Sequence, residues 1–311
     1  MRAAKAQMLI ARRNAFSLIE LTVVLAIAGI LGGSVGLLLM RQQRFYRGSS
    51  ELIIARQSVR DALEVLSTDL RGMSVTDTAR LLADSALEIF STTGGSVVCQ
   101  VSGASEVGLP PATSGATLTS FATQPDTGDL AVFYVDSGPP ETRWRRYRIT
   151  AFSSRALSTT CPPASGFSQN ADIETGSKAF AISLNESLSI DIHPGSPVRF
   201  VRRGRYSLYR ASDGAWYLGY RRCNAIGASS CGSVQPLSGP YRPYSRDVHQ
   251  SGLVFEYFDR SGDRLVASPL SLSRVDVTAR AASPQSLLMD GHPWLPSDSA
   301  RISVAVRNRL Q

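Results

Sequence analysis

The chain has almost no lysine: Lys5 and Lys178 stand against 31 arginines, so its positive charge is an arginine charge. Histidine is nearly as scarce, with His193, His249 and His292 each beside or near turn-forming residues. No H-E-x-x-H pair, G-x-S-x-G elbow or P-loop occurs, which removes the common metalloprotease, serine hydrolase and nucleotide-binding constellations. Four cysteines, Cys99, Cys161, Cys223 and Cys231, include no C-x-x-C pair and no Cys/His spacing suited to zinc. Neither a metal nor a cofactor is expected, and the chain does not read as an enzyme. Asp259–Asp263, "DRSGD", is too short for an EF-hand calcium loop and reads as a turn. No internal repeat period stands out.

What is present is enough apolar material for a real core, 43% of 311 residues, in one large domain or two small ones. The excess of 33 cations over 25 acids is partly local. Arg2, Lys5, Arg12 and Arg13 precede an apolar run with no acid among them, and removing residues 1–15 leaves 29 cations against 25 acids, a net of +4. The basic balance is therefore partly a targeting signal.

From Leu21 to Met40 there are twenty residues without a charge. As a helix they cover roughly 30 Å of hydrocarbon. Basic residues stand on both sides, with Arg41, Arg44 and Arg47 following. The shorter and purely basic leader side is placed in the cytoplasm. A secretory signal peptide would need a shorter apolar centre and a small-residue cleavage site. Ala26 and Ala28 offer that spacing, but the chain after them continues as "GILGGSVGLLLM". A plain anchor explains the length and leaves Glu20 unexplained, because a charge near the bilayer centre costs at least ~2.5 to 3.5 kcal/mol.

"AFSLIELTVVLAIAGIL" resembles the type IV pilin and type II secretion pseudopilin signature. The resemblance implies cleavage between Ala15 and Phe16 by a membrane-bound prepilin peptidase, N-methylation of Phe16, and Glu20 as fifth residue of the mature chain, where the family keeps its acid. Ala15 departs from the family's usual glycine before the cut, which bears on the rate of processing. The resemblance also implies that Glu20 pairs with the new α-amino group of a neighbouring subunit, so that opposite charges offset each other's desolvation in the filament core. Gly29 with Gly33 and Gly32 with Gly36 form small-xxx-small pairs that let helices approach closely.

Beyond the membrane the helix is expected to continue to about residue 75. Leu52, Val59, Leu66 and Met73 repeat every seven residues with Leu63 and Leu70 between them, while Arg60, Asp61, Glu64, Asp69 and Arg71 form a solvated face. Gly48 is a place for a bend and Gly72 a terminator. A second helix is expected from about Asp77 to Leu87. From about residue 88 the pattern becomes β-like. Hairpins are read in 129–152, in 205–223 with Asp213-Gly214 at its tip, and in 252–270 with its turn at Asp259–Asp263. Final strands are read in 273–281 and 301–310, with loops at 103–128 and 281–299. The expected fold is α+β and pilin-like: a long transmembrane and amphipathic helix packed on a meandering antiparallel sheet. The expected divisions are 1–15 leader, 16–40 transmembrane helix, 41–75 its amphipathic continuation and 76–311 head.

The closing segments are similar to those of PilW-like minor pilins and of J-type minor pseudopilins; the length favours the former. The resemblance implies a single-pass inner-membrane protein with a periplasmic head, later built into a filament at or near its tip. Implied partners are the prepilin peptidase, other major and minor pilins, the assembly platform and ATPase, and membrane lipid. All four cysteines fall on the oxidising side, where three pairings are possible. Cys223 and Cys231 suit a small loop, which would leave Cys99 with Cys161 for a large one. Nucleic acid is the weaker partner: "RWRRYR" and "RFVRRGRYSLYR" interleave arginines with aromatics, and Arg143, Arg145 and Arg202 are the candidate contacts.

Overall fold

The computed structural model describes residues 17–73, 81–112, 118–135, 143–224, 231–265, 271–283, 286–289 and 292–306. Helix α1, Leu18–Arg71, runs unbroken for 54 residues, about 80 Å. Ser17 caps its start, with Oγ accepting the Glu20 N–H at 3.2 Å, half of a capping box. Gly72 closes its end, donating its N–H to the Thr68 and Leu70 carbonyls. The helix is not interrupted at Gly48. That glycine is buried and marks where α1 first meets the head.

From there Ala55, Ser58, Val59, Ala62, Leu63, Leu66 and Leu70 are buried at three- and four-residue steps, the stripe that a 3.6-residue period turns toward a sheet. Val59, Leu66 and Met73 lie in the core as expected, and Leu52 is half-buried. Asp69 departs from the solvated face assigned to it. It is turned toward the sheet, where its carboxylate accepts the buried Tyr206 hydroxyl.

The strands, in chain order, are β1 Leu81–Leu82, β2 Ala86–Val97, β3 Gln100–Val101, β4 Glu106–Leu109, β5 Ser120–Phe121, β6 Leu130–Tyr134, β7 Trp144–Ala156 and β8 Lys178–Leu184. They continue as β9 Pro197–Arg210, β10 Trp216–Arg222, β11 Gln235–Tyr241, β12 Leu253–Phe258, β13 Arg274–Ala282, β14 Leu287–Met289, β15 His292–Trp294 and β16 Ser297–Ala305. Short helices α2, Leu157–Thr160, and α3, Asn170–Glu174, lie between β7 and β8. Every pairing among the described residues is antiparallel.

Strand β9 organises the head. One edge pairs with β2 over Pro197–Ser207, and the other divides between β6, opposite Val198–Val201, and β10, opposite Gly204–Arg210. Two cores result. On the α1 side, Leu66 and Leu70 pack with Leu87, Ile89, Leu218, Phe255, Val275 and Val277. On the far side, Phe133, Phe200, Ile149, Ile182 and Leu109 form a second core under β4, β6, β7 and β8. Strand β9 serves both, with Val198 and Phe200 in one and Tyr206 and Leu208 in the other.

Several sequence expectations need correction. Residues 81–87 are not helical: β1 pairs with β2 there, because Leu82 and Leu87 are needed on the sheet; residues 77–80 of that expected helix lie outside the described residues. The hairpins β6–β7 and β9–β10 are present, the second turning through Ala211–Ala215 with Gly214 at φ +85°, a conformation that favours glycine. The third hairpin starts as expected, with the Leu265 N–H on the Tyr257 carbonyl at 2.9 Å, and residues 266–270 of its returning side lie outside the described residues. Asp259–Asp263 forms the expected turn, closed by the Phe258–Arg264 bridge, and β12 also pairs with β13. The two expected loops contain β4 and β5, and β14, β15 and the start of β16. The sheet branches at β9 and β13 rather than meandering, since β13 carries β12 on one edge and β16 on the other.

Candidate assembly site

Glu20 occupies the first turn of α1, where a carboxylate is favoured by the uncancelled backbone N–H groups of the helix start. It is exposed, and so is nearly every residue of the following apolar run. Leu18, Ile30 and Leu37 leave 81%, 73% and 65% of their surface uncovered, which no water-soluble helix would tolerate over twenty residues. The helix is long and apolar enough to cross a membrane. Gly29, Gly32, Gly33 and Gly36 have no atom from elsewhere in the chain within 4 Å of where a Cβ would stand. Their open surfaces are available to another helix. Ala15 and Phe16 lie outside the described residues.

This combination decides what the N-terminus is: an acid at the head of a bare, membrane-length helix preceded by a basic leader. Residues 10–36 match the family model described as the prokaryotic N-terminal methylation motif. That match supports a type IV pilin or pseudopilin processed by prepilin peptidase and assembled with other pilins, and it points to a structural protein rather than an enzyme. With the single apolar helix near the N-terminus, it fits an inner-membrane-anchored pilin. Neither a curated protein nor a solved structure matches the chain. The methylation motif covers the anchor alone, so the head must be read from its own chemistry.

The head's polar groups are largely committed to holding it together. Glu88, 1% exposed, receives the guanidinium of Arg203, 3% exposed, on one oxygen and that of Arg205 on the other, with Arg205 Nη2 at 2.7 Å. Arg203 also donates to the Asn224 carbonyl at 2.6 Å. A second network centres on Asp129, which accepts Arg202 Nη2 at 2.7 Å and Arg222 Nη2 at 3.0 Å, while Arg222 Nη1 reaches Asp126 at 2.7 Å. The Arg222 hydrogen bond, first, and the Thr127 N–H, second, hold the Asp126 carboxyl below its usual range. Burial pushes Asp69 above its usual value, against the hydrogen bond from Tyr206. Burial, followed by the Asp69 charge, drives the Tyr206 phenol far above its usual range, so it stays a donor.

This changes the reading of the arginine-rich strands. Arg202 is spent on Asp129 and on the Gln124 carbonyl at 3.1 Å. Arg143 points Nη1 at the Tyr134 hydroxyl at 3.5 Å, and Arg145 is exposed on β7 opposite Phe133. Phe133 in turn pairs with Val198, four residues along β9 from Arg202, with buried Phe200 between them. Arg202 is thus held in an ion pair on β9, and Arg145 lies two strands away on β7. Sequence reasoning missed the acids that neutralise the arginines of β9: Glu88 is joined to Arg203 only by the β2–β9 register, across 115 residues.

Cys99 is bonded to Cys161, and Cys223 to Cys231. Gly108 on β4 makes room for the first bond, since a Cβ there would overlap the Thr160 carbonyl oxygen beside Cys161. Glu88 lies near Cys223 and Cys231, but both sulfurs are in the disulfide and the carboxylate is held by two arginines, which leaves no ligand set for a metal. His193, His249 and His292 are all exposed. Asp259 spends its carboxylate on the Asp263 N–H of its own turn.

Proposed function

We propose that this chain is a minor pilin, most like the PilW group. It is inserted in the inner membrane with residues 1–15 cytoplasmic, cut before Phe16, methylated there, and built into a filament at or near its tip. The observation that carries this reading is Glu20 at the start of a bare apolar helix within the methylation motif. Before processing, the first-turn backbone of α1 favours the carboxylate. Cleavage then creates an ammonium on each subunit one helical turn from its acid. In a filament, the ammonium of one subunit meets Glu20 of its neighbour, and contact between opposite charges offsets the desolvation of both.

The glycine faces bring helices close enough for that pairing, and the lower half of α1 carries the head outside the bundle. Replacing Glu20 by Ala is expected to leave peptidase processing intact and to reduce incorporation into filaments about tenfold or more. That corresponds to pairing that recovers about half of an insertion cost of ~2.5 to 3.5 kcal/mol. Normal incorporation of Glu20→Ala would remove the charge-pairing role.

A further inference from the structure

Arg41, Arg44 and Arg47 follow the apolar run of α1 and are all exposed, as are the rings of Phe45 and Tyr46 between them. The helix carries no acid from Leu21 through Ser50. One turn above the arginines, Glu51, Ile54 and Ala55 form a wall of a groove of about 410 Å³. That groove shares Asp213, Ala215, Pro240, Ala282 and Ser283 with a wider cleft of about 880 Å³. The cleft is lined by Arg210 and Arg242 together with Trp216, Tyr244 and Leu295, the last two 41% and 45% exposed. None of these five arginines has a carboxylate at ion-pair distance among the described residues. Among the described residues, the end of the head nearest the anchor therefore presents guanidinium groups outside ion pairs beside aromatic and apolar surface. The two acids of the lining accept hydrogen bonds, Asp213 from the Ala215 N–H and the Tyr217 hydroxyl and Glu51 from the Ser283 hydroxyl.

We propose that this collar and the cleft above it are a docking surface for anionic glycerophospholipids of the bilayer that α1 spans. Guanidinium forks match phosphate oxygens, and Arg keeps its charge at any working pH. Tyr46, Trp216 and Tyr244 have the amphipathic rings that settle at headgroup level, and Phe45 adds an apolar one. Leu295 and Trp216 give the glycerol and the first acyl carbons an apolar wall. The inference rests on α1 lying in a membrane and goes beyond the filament role. A subunit gripped this way is held upright at the bilayer surface until assembly extracts it.

The test uses the full chain in detergent, offered equal amounts of phosphatidylglycerol and phosphatidylcholine, with retained lipids counted by native mass spectrometry. The wild type is expected to retain phosphatidylglycerol preferentially. Arg41→Gln/Arg44→Gln/Arg47→Gln and, separately, Arg210→Gln/Arg242→Gln should each lower the preference about fivefold per arginine removed. The corresponding Lys variants should keep most of it. Equal retention of the two lipids by the wild type, or an unchanged preference in both Gln variants, would overturn the proposal. Displacement of the lipid by excess inorganic phosphate would also overturn it, by showing that the site reads free phosphate. Resistance of the protein to carbonate extraction from membranes tests the anchor independently, so loss of the anchor and loss of the lipid preference are told apart.

Discussion

Glu88 offers a sharp test of how the head is held together. Its carboxylate is 1% exposed and lies between Arg203, 3% exposed at the side chain, and Arg205, 31% exposed. Replacing Glu88 by Gln keeps the shape and removes the charge. Arg205 can then turn toward water, but Arg203 cannot, and its remaining partner is the Asn224 carbonyl. An uncompensated buried charge costs about 3 to 5 kcal/mol. For a head of this size each kcal/mol lowers the melting temperature by about 2 to 4 °C, so the expected fall is roughly 6 to 20 °C. Arg205→Ala should cost only ~1 kcal/mol, since solvent already screens that partner. A double replacement of Glu88 and Arg203 by Leu should be milder than Glu88→Gln, because it removes the stranded charge as well as the pair. Thermal unfolding followed by circular dichroism, on the full chain in detergent, reads all three. A fall below about 3 °C for Glu88→Gln would refute the claim that this ion pair is buried and essential.

Asp69 predicts an opposite pH dependence from that of an ordinary surface acid. Its folded pKa lies above the unfolded value of 3.8, so the folded state holds the proton more tightly. Its contribution is fully present below 3.8 and lost as pH rises through the raised folded value. Asp69→Asn should flatten that decline and be the more stable protein at neutral pH; a parallel pH profile for the two in thermal unfolding would contradict this. The disulfides should differ in weight. By chain entropy the bond spanning 62 residues is worth about 4 kcal/mol and the one spanning 8 about 2.5 kcal/mol. Cys99→Ala/Cys161→Ala should therefore lower the melting temperature more than Cys223→Ala/Cys231→Ala. Gly108→Ala should destabilise by about 1 to 3 kcal/mol in denaturant titration, since β4 must move away from Thr160 to admit a methyl group.

The anchor was legible in the sequence because its physics is one-dimensional: a charge-free run of membrane length, one acid and a basic leader all show without knowing what touches what. The amphipathic part of α1 was legible for the same reason, through the spacing of Val59, Leu63, Leu66 and Leu70. Gly48 does not interrupt the helix, and its burial shows that packing there offsets the weakness a helical glycine brings. Asp69 misled because its heptad position lies beside the stripe, and only the presence of Tyr206 makes facing inward favourable. Strands with tight turns were legible, as in β9–β10. Pairings that join distant segments were not, and β2–β9 is the leading case, since strand alternation fixes faces but not partners. The arginines of β9 looked like a surface for an anionic polymer because their acids, Glu88 and Asp129, arrive from another strand and a loop.

The most direct measurement is mass spectrometry of the N-terminal peptide from the membrane and filament fractions of producing cells. Processing as proposed gives a peptide that begins at Phe16 and carries a methyl group on its α-amine. A peptide that retains Met1, or one that begins at Gly29 as a secretory cleavage after Ala28 would leave it, would contradict the pairing of Glu20 with a neighbour's amine and the filament role built on it.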